Sequence, residues 1–301
     1  MLKTVTVTNP KGESLVLELT KPEKSGLIIK DITGLGPSKA TINAQELATM
    51  DGSIYSSARV ENRNIVITLA MMFAPTIEDS RQKTYRYFPL KKKVTLKFET
   101  DNRTSEITGY VESNEPEIFS EEETTQISII CTDPYFYESK GSSNAFFGAE
   151  PLFEFPFENR SYAEKLLLMG EIRMDSRAIV NYVGDIDTGM IITIHTLGDA
   201  KNFTIYNVDT RETMVINTDK IKSITGLPFR AGDDIEISTH KGNKYVRLLR
   251  NGVYTNIISA MGKNADWFQL SVGDNIFDYQ AEEGADNLLI TFAYRNAYGG
   301  I

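Results

Sequence analysis

The 301-residue chain is expected to be all-β with one short helix. Three observations predict this. Apolar and polar residues alternate with a period of two, short turn-forming breakers separate the alternating runs, and the 14 Tyr and 15 Phe suit pleated, half-buried surfaces.

The alternation places each strand. Val94, Leu96 and Phe98 point one way, and Lys93, Thr95, Lys97 and Glu99 the other. Ile127 and Ile129 alternate with Gln126, Ser128 and Ile130. Ile192 and Ile194, Phe203 and Ile205, and Leu288, Ile290 and Phe292 define three more strands with one face in a core. Asn9-Pro10-Lys11-Gly12, Asp51-Gly52, Asp101-Asn102 and Asn251-Gly252 lie between such runs. Gly and Asn adopt the positive φ that tight hairpins need. One segment lacks the alternation: Thr76 followed three residues later by Asp79 is an N-cap signal, and Pro89 is a stop, so a helix is expected over 78–88 with Ile77, Thr84 and Phe88 on one face.

The length suits two domains, and 41% hydrophobic residues suffice for real cores. The boundary is placed after Cys131-Thr132-Asp133-Pro134, giving a domain over 1–134, a connector over 135–160 and a second domain over 161–301. The connector carries Phe146, Phe147, Phe153, Phe155 and Phe157, which suggests packing between the domains or against a partner.

A formal net charge of −9 argues against nucleic-acid recognition or attraction to an anionic membrane. The most apolar stretch, 65–73, is about half the ~20 residues a membrane helix needs, and the opening residues alternate instead of forming a secretion signal. Neither membrane insertion nor export is expected. With one Cys and two His, a disulfide framework and a Cys/His zinc site are excluded, and synthesis in a reducing cytosol is expected.

Catalytic constellations are not found. His195 sits on a strand and His240 in a turn, with no Gly-x-Ser-x-Gly elbow to supply a nucleophile. Cys131 ends an apolar run and reads as a small buried hydrophobe. Glu121-Glu122-Glu123 reads as a solvated loop, not as the held carboxylate pair of a glycosidase. The stretch from Gly184 to Gly189 lacks the closing Glu and flanking helices of a calcium hand. Lys91, Lys92 and Lys93 form either a solvated strand end or an electrostatic contact for an acidic partner. Trp267 reads as core in an apolar strand, or as a sugar-stacking ring if exposed. The chain is expected to be no enzyme and to need no cofactor.

Ile32-Thr33-Gly34-Leu35-Gly36-Pro37, Asp51-Gly52-Ser53-Ile54-Tyr55, Arg63-Asn64-Ile65-Val66-Ile67, Ile107-Thr108-Gly109-Tyr110-Val111-Glu112 and the run from Ile127 to Pro134 resemble, in order and spacing, the N-terminal domain of siphophage distal tail proteins. Gly184-Asp185 with Thr188-Gly189, Ala231-Gly232-Asp233, and Leu270 with Gly273, Asn275 and Ile276 match the C-terminal half more loosely. The resemblance implies an N-terminal β-sandwich that forms a six-copy ring and a galectin-like C-terminal β-sandwich that projects outward. It implies a structural baseplate hub part joining the tail tube protein to the tail-tip protein and anchoring receptor-binding proteins. The place is the virion tail tip, after synthesis in the bacterial host cytoplasm. Phage, prophage and phage-derived bacteriocin share this part. Met71, Met72 and Phe73, ending the strand over 64–73, and Lys91 to Lys93 are the expected inter-copy contacts. Two other classes stand beside it. A carbohydrate-binding module of a tail adhesin would use an exposed Trp267, and a glycan-degrading tail enzyme would need two facing carboxylates that the sequence does not single out.

Overall fold

A computed structural model describes residues 1–46, 51–151, 170–174 and 177–301. The chain divides into two compact units, Met1–Lys140 with Ala297–Ile301, and Gly141–Asn296.

The first unit runs β1 (Leu2–Thr8), β2 (Ser14–Glu18), β3 (Leu27–Thr33), β4 (Ala40–Glu46), β5 (Ser53–Val60), β6 (Arg63–Met71), α1 (Ile77–Tyr87), β7 (Lys93–Thr100), β8 (Thr104–Glu117), β9 (Thr124–Cys131) and β10 (Phe136–Glu138). Antiparallel pairing gives the order β2-β1-β7-β8-β9-β6-β3. The expected alternation is what builds the core: Val94, Leu96 and Phe98 of β7 and Ile127 and Ile129 of β9 are all buried. They share one cluster with Val5 and Val7 of β1, Leu15 and Leu17 of β2, and Ile65, Ile67 and Leu69 of β6. Strands from both ends of the path thus meet in one core, so the sheet curls and its halves face each other as the layers of a sandwich do. Burying each such side chain is worth about 1.5–3 kcal/mol.

α1 begins as its sequence demands. The Thr76 hydroxyl accepts from the Asp79 N–H at 3.1 Å, and the Asp79 carboxylate accepts from the Thr76 N–H at 3.2 Å. It packs through a small polar face. Ser80 donates to the Met72 carbonyl at 2.8 Å and Thr84 accepts from the Asn114 amide at 3.2 Å, while Phe88, just past the end, enters the core.

The second unit contains β11 (Ser142–Ala145), β12 (Phe147–Pro151), β13 (Gly170–Met174), β14 (Arg177–Tyr182), β15 (Ile191–Thr196), β16 (Lys201–Asn207), β17 (Glu212–Ile216), α2 (Thr218–Thr225), β18 (Asp234–Ser238), β19 (Tyr245–Arg250), β20 (Val253–Asn256), β21 (Gly273–Glu283) and β22 (Leu288–Tyr294). Six strands, β11-β22-β15-β18-β19-β20, face four, β14-β21-β16-β17. Ile192, Ile194, Ile290 and Phe292 of the first sheet share a core with Val180, Phe203, Ile205 and Phe277 of the second. This is a two-layer sandwich. After β22 the chain returns to the first unit as β23 (Ala297–Tyr298), which pairs with β10.

Three expectations need correction. There are two α-helices among the described residues, not one. α2 is only 8 residues long, started by the Asn217 side chain, which accepts from the Lys220 N–H, and ended by Gly226 at φ 76°. The stretch 135–151 is not bare connector, since it forms β10, β11 and β12; Phe136 is buried in the first core and Phe146 in the second, 5.0 Å from the Tyr279 ring and 5.3 Å from the Phe292 ring. The expectations for Phe153, Phe155 and Phe157 lie outside the described residues. Trp267 is not in a strand, although it packs half-buried against the second core.

Candidate functional site

The chain presents surfaces, and the most unusual belongs to the first unit. Among the described residues β4 and β5 pair only with each other, from Ala40↔Val60 to Glu46↔Ser53. Every residue of β5 is exposed, and in β4 only Thr41 is half-buried. Ile42 (67%), Tyr55 (64%), Ile54 and Val60 all face solvent. An isolated two-stranded ribbon is marginal in water, and its outer edges leave N–H and C=O groups unpaired. Asn43 and Ser57 bond across it at 3.0 Å, which fixes register without adding a core. Asp51-Gly52 leads into β5, with Gly52 at φ 89°.

A second surface lies at one end of the curled sheet. Ala70 of β6 and Glu117 of β8 both pair with Thr124 of β9, so the residues just beyond them emerge together. Those residues include Phe73, 80% exposed, and Phe119, fully exposed, with Ile118 beside it. The neighbouring carboxylates anchor this end: Glu122 pairs with Lys30 at 2.6 Å and Glu123 with Arg81 of α1 at 3.1 Å.

Of the sequence-predicted contacts, Phe73 is on this surface and Met72 is half-buried, but Met71 is a core residue at 8% exposure. Lys91, Lys92 and Lys93 are exposed, and none is in an ion pair among the described residues. The 11 residues of α1, about 16 Å at 1.5 Å per residue, separate the two groups, which are therefore not one patch. Lys91 holds φ 60°, set by its N–H donating to the Val111 carbonyl at 2.9 Å and by Lys92 accepting from the Val111 N–H at 3.2 Å.

The residues considered for chemistry sit in structural roles. His195 meets Asp234, its cross-strand partner on the outer face of the six-stranded sheet, at 2.7 Å. Cys131 is fully buried, and burial pushes its thiol up to about 11, which removes thiolate reactivity near neutral pH. No group of three or more His, Cys, Asp or Glu among the described residues could hold a metal ion. Gly189 packs so close to the His240 backbone that a Cβ would stand 2.5 Å from it, so the 184–189 stretch is a packing turn. The Lys244 ammonium stands 5.1 Å over the Trp267 ring, and a sugar would have to displace it.

The motif segments converge on a residue that sequence reasoning did not single out. Arg63, only 3% exposed, donates to the carbonyls of Gly34, Gly36, Pro134 and Gly299 at 2.5, 2.5, 2.6 and 2.6 Å and stacks on Phe136 at 4.5 Å. It is in no ion pair among the described residues, and burial lowers its pKa from the ordinary value. Gly34 must be glycine, at φ 83° with a would-be Cβ 2.1 Å from the Asn64 carbonyl. In the second unit Asp233, 2% exposed, takes a two-pronged bond from Arg250, and the Asn275 amide closes the turn through the Ser271 and Gly273 carbonyls. These segments are thus the knots of the fold.

In sequence, the residues of the two-layer sandwich lie between the first 140 and the last five residues, which together form the ribbon-bearing curled unit. Residues 183–298 match the family model described as siphovirus-type tail component, C-terminal domain. Over its whole length the chain has the fold of the Dit protein of phage SPP1, a paradigm of the hub adsorption apparatus in phages infecting Gram-positive bacteria, with a TM-score of 0.64 at 12% identity over 97% of this chain and 99% of that one. A chain of the phage P2 baseplate in its activated conformation with Ca aligns with a TM-score of 0.50, 12% identity and 98% of each chain. No curated protein sequence matches the chain. Together these likenesses give residues 183–298 a match to the C-terminal domain of siphovirus-type tail components, and the chain the fold of the SPP1 Dit protein.

Proposed function

We propose that the chain is a distal tail protein whose first unit closes into a ring of identical copies, six by the family resemblance. The observation that carries this is the β4–β5 ribbon. It exposes both faces and both edges, and the unpaired groups and the Ile42, Ile54 and Tyr55 side chains are satisfied by lying against a neighbouring copy. Head-to-tail copies must close into a ring or grow into a filament. At net charge −9 the copies repel at long range, so local complementarity has to hold them, and the unpaired Lys91 to Lys93 offer cationic groups to a neighbour's carboxylates. The Phe73 and Phe119 end of the sheet is suited to an unlike partner, the tail tube protein on one side of the ring or the tail-tip protein on the other. The second unit then carries receptor-binding proteins outward. The ring would be located at the virion tail tip of a phage, prophage or phage-derived bacteriocin, after synthesis in the bacterial host cytoplasm.

Cross-linking mass spectrometry on assembled tails, or on the concentrated protein, tests this. Inter-copy links are expected to join the Lys91 to Lys93 segment or Lys39, beside the ribbon, to first-unit residues of another copy. Links confined to residues 141–296, or one copy per tail tip, would overturn the ring.

A further inference from the structure

The outer face of the four-stranded sheet in the second unit carries a shallow cavity of about 330 Å³, lined by Tyr206, Asn207, Val208, Arg211, Asp278 and Gln280. Tyr206 of β16 and Asp278 of β21 are cross-strand partners, and Gln280 lies two residues along on the same face. These side chains are held in place. The Asp278 carboxylate accepts from the Tyr279 N–H at 2.7 Å with one oxygen, and the other has no partner among the described residues. The buried Asn207 side chain accepts from the N–H groups of Asp209 and Thr210 and shapes the hairpin turn that ends at Arg211.

Arg211 is the informative member. It sits at φ 62°, a conformation that glycine adopts without strain and arginine does not. Its guanidinium makes no hydrogen bond or ion pair among the described residues, although Asp278 lines the same cavity. The turn therefore holds an arginine where a glycine would be easier, and leaves its donors open.

The inventory selects the ligand. The cavity offers donors from Arg211 and the Gln280 amide, acceptors from Asp278 and the Gln280 carbonyl, and one aromatic ring, with Val208 as its only aliphatic side chain. An apolar ligand would leave the polar groups unpaired. A simple anion would meet Asp278 and a simple cation would meet Arg211. A neutral molecule dense in hydroxyls, with an apolar C–H face, uses the whole set. We propose that this cavity binds a neutral saccharide, a pyranose ring lying on Tyr206 while Arg211, Asp278 and Gln280 bond its hydroxyls. The site goes beyond the ring reading, and it is not Trp267.

The test is saturation-transfer NMR on the full chain with glucose, galactose, rhamnose and N-acetylglucosamine as free probes and dextran as a polymeric one. Transfer to at least one probe is expected, and whether the free sugars or the polymer respond separates a soluble ligand from a surface glycan. Tyr206→Ala and Asp278→Asn should each weaken binding tenfold or more. Arg211→Gly should weaken it as much while melting no lower than the parent chain, because glycine relaxes the turn; this separates lost binding from lost folding. Transfer to none of the probes, transfer unchanged in Arg211→Gly, or transfer lost only in Trp267→Ala would overturn the proposal.

Discussion

The two units solve the same problem in opposite ways. The second stacks a six-stranded sheet on a four-stranded one and closes its core from both sides. The first curls one sheet onto itself and sends out a ribbon that shares in no core. Their pinning arginines differ in the same sense. Arg250 in the second unit is neutralised by Asp233 at 2.5 Å, whereas Arg63 in the first is held by four carbonyl dipoles, with no ion pair among the described residues. The sandwich is self-sufficient. The ribbon-bearing sheet is pinned tightly at one point and left incomplete at another, as expected of a part that finishes folding in an assembly.

The largest effect is expected from breaking the two pins. Arg63→Ala removes the one buried donor that ties four backbone carbonyls together and frees the C-terminal residues, and should cost the first unit ~3 kcal/mol. Arg250→Ala leaves the buried Asp233 without its cation and should cost the second unit ~3 kcal/mol. The chain supplies one reporter for each unit. Cys131 is buried in the first core and Trp267 is half-buried against the second. In urea, Arg63→Ala should bring forward the reaction of Cys131 with a thiol reagent, and Arg250→Ala the change in Trp267 fluorescence. If both reporters move together in both variants, the units are not energetically separate and the comparison fails.

An intermediate effect is expected at the ribbon. Ile42 and Ala58 are register partners, so replacing residues 43–57 by Asn-Gly joins them through a tight turn. No core residue among the described ones is touched, and the melting temperature of the isolated protein should stay within a few degrees. Self-association on concentration, followed by analytical ultracentrifugation, should be lost. A shortened chain that still assembles would move the interface to the Phe73 and Phe119 end.

How far the sequence could be read follows from the same contrast. Strands that bury one face announce themselves by alternation, which is why Val94 to Phe98, Ile192 to Ile194 and Leu288 to Phe292 were all placed correctly. The α1 capping box was legible because Thr76 and Asp79 interact locally. The α2 signals, Asn217 and Gly226, were present but flank too few residues to show a period. The ribbon was illegible as a ribbon: only its turn at Asp51-Gly52 carries a signal, because a strand exposed on both faces obeys no burial pattern. Arg63 was illegible for another reason. Its partners are backbone carbonyls up to 236 positions away, and a carbonyl leaves no mark in the identity of its residue. Met71, expected with Met72 and Phe73 as an inter-copy contact, is buried within its own unit, because the apolar run continues past the point where the strand turns outward, between Met71 and Phe73.

The smallest effect expected is on pH dependence, and it sharpens the contrast at the surface of the first unit. Glu13, in the turn between β1 and β2, accepts two bonds from Arg86 of α1, at 2.7 and 3.0 Å, and one from the Asn9 amide at 3.0 Å. The Arg86 bond, then the Asn9 bond, lower its pKa from an ordinary 4.5 to about 2. A carboxylate with a depressed folded pKa adds stability that is fully present above its unfolded pKa and is lost as pH falls through the folded one. The window is therefore from about pH 4.5 down to about pH 2. The pair is solvent-exposed, so screening keeps its contribution small and salt should reduce it further. Glu13→Gln cannot titrate. The gap in melting temperature between the parent chain and this variant should be constant near neutral pH and narrow on acidification through that window, with Cys131 reporting the first unit. A gap that widens toward low pH would mean that the Glu13 carboxylate does not gain from Arg86 in the folded chain.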